Sequence, residues 1–133
     1  MSEMEKMYRD YRDIAEFRIV YLREAHAADS SWPMRFARKM GITQHKDYGD
    51  RCVVADLMMK EENVTIPCII DDFDNKVNIA YKAWPTRLFV VRKDGRLAIA
   101  ASRLPWGFNS ALKKAGAWLA AYRKTGKEPE LPD

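Results

Sequence analysis

Only two cysteines and two histidines occur among the 133 residues, and this scarcity removes several classes of function. Cys52 and Cys68 stand too far apart for a Cys-x-x-Cys redox pair, and so few sulfur and imidazole groups argue against a structural zinc or other metal centre. They read as reduced thiols of a cytoplasmic protein. No apolar run approaches the roughly 18–20 residues that span a bilayer, so no membrane span is expected. The first residues, MSEMEKMYRDYRD, are charged throughout and lack the apolar stretch of a signal peptide. Repeats, linkers and low-complexity tracts are also missing. What remains is one domain over residues 1–133, 47% hydrophobic and 32% charged, an ordinary globular composition with enough chain for a single core.

Charge is unevenly spread. Between Thr86 and Lys127 stand Arg87, Arg92, Lys93, Arg96, Arg103, Lys113, Lys114, Arg123, Lys124 and Lys127, against Asp94 alone. Positive potential there favours a small anionic ligand or partner. No nucleic-acid motif accompanies it, so nucleic acid is not an expected partner and a solvated basic face explains the excess.

Hydrophobic spacing predicts a helix over Met1–Ala15 and a strand over Phe17–Leu22, buried on both faces. A short helix is predicted from Pro33 to Gly41, and another from Asp50 to Glu62. Ile66–Asp71 reads as a second buried strand, and Asp74 as the cap of a helix over Asn75–Ala83. Leu88–Arg92 and Leu97–Ala101 flank an Asp94-Gly95 hairpin turn. Asn109 is expected to cap a final helix with Leu112, Ala115, Trp118, Leu119 and Tyr122 on its apolar stripe, Gly126 ends it, and Glu128–Asp133 is expected to fray. The order α-β-α-α-β-α-β-β-α indicates an α/β sandwich with a mixed sheet. Pro85 is either a cis-proline in the turn before a strand or a plain helix stop after Ala83.

The first strand ends abruptly in Arg23-Glu24-Ala25-His26. Ligands of open α/β sheets bind at the carboxyl ends of strands, so chemistry is expected here. In extended chain, side chains at i and i+2 share a side. Glu24 and His26 could therefore form an acid–imidazole pair, although a histidine at a strand end also serves simply as a hydrogen-bonding group. Cys52 falls near the start of its helix, where the macrodipole and Arg51 favour a thiolate, while Cys68 belongs to an apolar strand and reads as buried. Trp84, Trp106 and Phe108 either line a pocket for an aromatic ligand or belong to the core. Arg103 either grips a carboxylate or is one more member of the basic face.

The stretch Leu22-Arg23-Glu24-Ala25-His26, followed by Asp29 and Trp32, resembles the strand-and-loop signature of the iodothyronine deiodinases, selenoprotein reductive dehalogenases on a thioredoxin-like fold. Ile42-Thr43-Gln44-His45, Asp50-Arg51-Cys52-Val53, Pro67-Cys68-Ile69-Ile70-Asp71, Trp84-Pro85-Thr86-Arg87-Leu88-Phe89 and Leu104-Pro105-Trp106-Gly107-Phe108-Asn109 are similar to further segments of that family in the same order, with Thr86 in place of an acid. The resemblance covers Phe17 to Leu119. It implies that Glu24 and His26 contact a substrate phenolic ring and help deliver a proton. It further implies that Cys52 resolves an oxidised selenium, that Arg103 and Trp106 contact the substrate, and that Pro85 is the structural cis-proline. A thiol reductant is the implied cosubstrate, and no bound cofactor is implied.

One departure stands out. The family's selenocysteine or cysteine nucleophile precedes Phe17–Leu22 at the end of a central strand, and neither it nor that strand has a counterpart here. The expectation is a thioredoxin-like three-layer sandwich missing its first central strand, inactive as the sequence stands. Either a selenocysteine codon lies just upstream of Met1, or the chain is a non-catalytic binding domain on the same scaffold. Unpaired apolar strand edges would then favour a homodimer over direct closure of the sheet.

Overall fold

The structure, a computed structural model, describes residues 1–25 and 27–131, with Phe36 through its backbone alone. His26, the imidazole of the expected Glu24–His26 pair, and Pro132–Asp133 lie outside the described residues. The elements run α1 (Ser2–Tyr11), β1 (Ile19–Tyr21), α2 (Arg35–Met40), α3 (Tyr48–Glu61), β2 (Cys68–Ile70), α4 (Lys76–Tyr81), β3 (Phe89–Val91), β4 (Leu97–Ala100) and α5 (Gly107–Thr125). The class is α/β and the order is the one the spacing predicts. The chain divides into two units, Phe17–Pro85 with Met1, and Ser2–Glu16 with Thr86–Asp133.

In the first unit β1 and β2 pair in parallel, Ile19 opposite Cys68 and Tyr21 opposite Ile70. All three β1 residues are only half-buried, so burial on both faces is not observed. Cys68 is likewise half-buried rather than enclosed. A small core of Ala37, Ile42 and Val54, joined by Tyr21, Leu57 and Met58, holds α2 and α3 together. Gly41 ends α2 at φ 67°, a left-handed position that glycine takes without a Cβ penalty. Pro33 lies before the helix rather than at its first position; Met34 is the capping residue.

The cap of α4 departs from the expectation in an instructive way. Asn75, not Asp74, occupies the cap position, at φ 62° and with no capping bond from its own side chain. The acceptor comes from the end of β2 instead. Asp71, 1% exposed, takes the Val77 N–H on Oδ1 at 2.8 Å and the Asn78 N–H on Oδ2 at 2.9 Å. A carboxylate at a helix N-terminus satisfies orphan donors and complements the dipole, and here a residue several positions upstream supplies it.

In the second unit β3 and β4 form the expected antiparallel hairpin, with Gly95 at φ 86° in the turn and a register irregularity between Val90 and Val91. Leu88, Ala101, Ala111, Leu112 and Ala115 make its core, with Met4, Met7, Val90, Ile99 and Phe108 packed around them. Buried leucines such as Leu112 and Leu119 contribute about 1.5–3 kcal/mol each. Two local expectations fail here. Asn109 lies inside α5, and Trp106 sits at the cap with no side-chain bond. The helix begins at Gly107, a position that admits no side chain because a Cβ there would overlap the Ser102 carbonyl oxygen. Glu128 and Pro129, the start of the segment expected to fray, are held. Glu128 accepts the Lys93 N–H at 2.8 Å, and Arg92 donates to the Pro129 carbonyl.

Candidate functional site

The carboxyl end of β1 gathers the polar groups of the first unit. Tyr21, the last β1 residue, donates its hydroxyl to Glu24 Oε2 at 2.5 Å. The Gln44 side chain donates to the Glu24 carbonyl at 2.6 Å, and the Gln44 backbone N–H donates to Asp29 Oδ1 at 2.9 Å. The loop after β1 is thereby fastened to the segment before α3 at two points. Burial, followed by the hydrogen bond to Glu24, raises the Tyr21 phenol far above its ordinary 10.0. It remains a protonated donor, and it presents Glu24 as an oriented carboxylate.

Beneath this pair lies a buried arginine. Arg51, on α3 and 2% exposed, donates from Nε to His45 Nδ1 at 3.2 Å, from Nη1 to the Asp71 and Asp72 carbonyls at 3.2 and 2.8 Å, and from Nη2 to Asn75 Oδ1 at 3.1 Å. Its guanidinium carbon also lies 5.5 Å from the centre of the Phe73 ring. One planar fork thus ties the His45 segment, the end of β2 and the start of α4. The His45 ring centre is 5.7 Å from that of Tyr21. Burial, and then the Arg51 charge, lower the His45 pKa from 6.5, so the imidazole is neutral near pH 7.

The same network runs on to the proline. Asn78 Oδ1 accepts the Trp84 N–H at 2.9 Å, and the Trp84–Pro85 peptide is cis. The Arg23 guanidinium lies over the Trp84 ring at 4.6 Å, a cation–π contact that covers the half-buried indole from the β1 loop. Cys52, half-buried, is the fifth residue of α3, one turn beyond Tyr48. Their hydrogen bond raises the Tyr48 phenol above its ordinary range. Cys52 and Cys68 are both free thiols; burial raises the Cys68 pKa above 9.0.

Arg103 and Trp106 belong to the second unit, on the exposed turn that leads into α5; Trp106 is 65% exposed and so is not a core residue. Phe108, by contrast, packs against the hairpin core. Part of the basic face is engaged within the fold. Arg87 donates to the Ala101 carbonyl at 2.6 Å, and Arg123 to the Asp10 carbonyl and to Asp13.

Of the residues singled out from sequence, the first unit holds Glu24, Cys52 and Pro85. Spacing gave no role to Tyr21, Gln44, His45 or Asp71, and it read Arg51 only as a charge beside Cys52; together they hold Glu24 and its surroundings in place. The motifs Gln44-His45, just before α3, and Asp50-Arg51-Cys52, in its first turns, were the available signal, because polar groups clustered around a helix start are ones that the fold must satisfy. Among the described residues no helix is long and apolar enough to cross a membrane.

The iodothyronine deiodinase family model matches residues 1–123. The chain is 34% identical over 126 residues to thyroxine 5-deiodinase of Sparus aurata, covering 92% of this chain and 44% of the relative. It is 32% identical over 108 residues to type I iodothyronine deiodinase of Xenopus laevis, covering 81% and 41% respectively. With human type II iodothyronine deiodinase the identity is 27% over 131 residues, covering 95% and 46%. The chain therefore spans less than half the length of these curated relatives. A family match over nearly the whole chain, together with relatives above 30% identity along it, places this protein in the iodothyronine deiodinase family.

Proposed function

We propose that this chain forms the substrate-side part of a thioredoxin-like reductive dehalogenase acting on iodinated phenolic aromatics, with its selenol or thiol nucleophile supplied by sequence ahead of Met1. The relatives' names specify thyroxine and iodothyronines; for this chain the proposed substrate class is the broader one of halogenated, phenol-bearing aromatics. Replacing an aryl carbon–halogen bond by carbon–hydrogen needs two electrons and a proton. Two thiols supply the electrons and become a disulfide, and the halogen leaves as halide. The observation that carries the reading is the Tyr21–Glu24 pair, at 2.5 Å, at the end of the strand where the family signature lies.

In this reading Glu24, oriented by Tyr21 and by the Gln44 clamp on its carbonyl, receives the phenolic end of the substrate, and His26 acts with it to deliver the proton to the ring carbon. Cys52 resolves the oxidised nucleophile and a soluble thiol completes the reduction. Arg103 and Trp106, exposed on the second unit, suit an anionic and an aromatic group respectively. No bound cofactor or metal enters the scheme. The cytoplasm is the proposed setting. The alternative is a non-catalytic domain that binds the same aromatic ligands without the nucleophile.

The test is to append a segment bearing a cysteine or selenocysteine ahead of Met1 and to measure iodide release from iodinated phenols with dithiothreitol. Iodide release that disappears in Glu24→Gln supports the reductive reading. Saturable binding of the iodophenol without iodide release, with the nucleophile shown to be reduced and alkylatable, selects the binding domain instead.

A further inference from the structure

The Arg51–His45 contact assigns a state to the imidazole. A guanidinium has only donors and is charged at every accessible pH. Its Nε points an N–H at His45 Nδ1 across 3.2 Å, so Nδ1 must offer a lone pair. The ring hydrogen then resides on Nε2. Protonating Nδ1 would set one N–H against another inside the fold, where Arg51 is 2% and His45 8% exposed. Rotation of the guanidinium is blocked as well, because Nη1 and Nη2 are engaged by the Asp71 and Asp72 carbonyls and by Asn75 Oδ1.

We propose that Arg51 is a positioning residue that locks His45 as the neutral Nε2–H tautomer, a fixed hydrogen-bond donor beside Tyr21 at the carboxyl end of β1. His45 Nε2 is buried and has no hydrogen-bond partner among the described residues. Buried donors of this kind are costly and rare in folded proteins, and one at a candidate site calls for an acceptor brought by a ligand or by water. The role rests on the dehalogenase reading above. There an uncharged N–H takes a phenolic oxygen or a departing halide, and His45 itself carries no proton through the cycle. The charged groups that face His45 are Arg51 and Asp50 from α3 and Glu24 from the loop after β1. The two carboxylates favour an imidazolium, while burial and Arg51 oppose it and prevail.

The experiment is long-range 1H–15N correlation of the imidazole nitrogens in the full chain. It holds only two histidines, so His26→Gln assigns both signals. The expected result is a pyridine-like Nδ1 and a pyrrole-like Nε2 for His45, unchanged as pH falls through 6.5, its ordinary value. In Arg51→Gln the two tautomers should mix and the titration midpoint should move up toward that value. A wild-type Nδ1–H tautomer, a wild-type His45 already charged at pH 6.5, or an Arg51→Gln spectrum identical to wild type each overturns the proposal. Should Arg51→Gln fail to fold, the wild-type tautomer and titration decide alone. None of these readouts needs turnover. A locked His45 in a protein that releases no iodide would leave the inference standing and remove the dehalogenase reading; the converse result would do the reverse.

Discussion

The Asn78 side chain accepts the backbone N–H of Trp84 at 2.9 Å, while its own backbone N–H is held by Asp71 at 2.9 Å. Asn78 thus passes the position of the β2 end on to the Trp84–Pro85 turn, through one short helix. The Asp71 carboxylate accepts on both oxygens, from the Val77 N–H on Oδ1 and from the Asn78 N–H on Oδ2.

Asp71→Asn should therefore destabilise the fold by about 1–3 kcal/mol. The amide keeps one acceptor but turns an NH2 group toward a backbone N–H that has nothing else to meet. Urea unfolding followed by circular dichroism checks the loss, and a midpoint equal to wild type would show that the capping bonds contribute nothing net.

Two glycines of α5 should respond oppositely to alanine. At Gly107 the new methyl carbon would overlap the Ser102 carbonyl oxygen and come within 2.7 Å of its carbon and hydroxyl, so about 1–3 kcal/mol should be lost to overpacking. At Gly116 it would meet only Met7 Cε at an ordinary 3.6 Å. There the removal of a mid-helix glycine should stabilise by up to about 1 kcal/mol. Thermal melts of Gly107→Ala and Gly116→Ala should shift in opposite directions.

The pH dependence has two limbs. His45 has a folded pKa below its ordinary 6.5. Its contribution is complete above 6.5 and is lost as pH falls from there through the folded value, because the unfolded chain takes up the proton first. Tyr21 has a folded pKa above its ordinary 10.0. Its contribution is complete below 10 and is lost as pH rises beyond it, because the unfolded chain releases the proton first. Urea midpoints between pH 9 and 11 should fall less steeply in Tyr21→Phe than in wild type, and those between pH 7 and 5 should fall less steeply in His45→Gln. Parallel curves for variant and wild type would contradict the assignment.

Chemistry separates by residue in the same way. The 133-residue polypeptide should show no turnover with dithiothreitol, since nucleophilic catalysis requires an activated thiol or selenol and Cys52 is proposed to resolve rather than attack. With the nucleophile restored, His26→Ala should lower iodide release by about 10²-fold or more. Cys52→Ser should spare a single turnover and slow the recycling that follows. Turnover by the unextended polypeptide that vanishes in Cys52→Ser would make Cys52 the nucleophile.

The element order was legible because each signal was local: Asp94-Gly95 for the hairpin, Gly41 and Gly126 for two helix ends, and heptad-like spacing for α5. The start of α4 was misread because its capping carboxylate, Asp71, stands six and seven residues before the N–H groups it accepts, at the end of a strand. α5 starts two residues ahead of Asn109 with no side-chain cap to mark it. Glu24 stood out from its place after an apolar strand. Its relation to Tyr21 was missed because the strand expectation extended to Leu22 and turned attention to the partner at i+2. Arg51 bonds to groups more than twenty positions away, and a buried charge with distant carbonyl partners has no signature in spacing.

Arg123 reaches Asp10 and Asp13 across separations of 113 and 110 positions, so the second unit is built from both sides of the first. During synthesis α1 leaves the ribosome early and must wait for α5 before it has its partner. At about 5–20 residues per second that delay is on the order of 5–20 s, during which the apolar stripe of Met4 and Met7 is uncovered. The entropy of closing so long a loop grows only slowly with its length, so the arrangement costs little at equilibrium. Its effect is one of timing: Phe17–Pro85 can begin to collapse on the nascent chain, whereas the hairpin unit is completed only when the last helix is released.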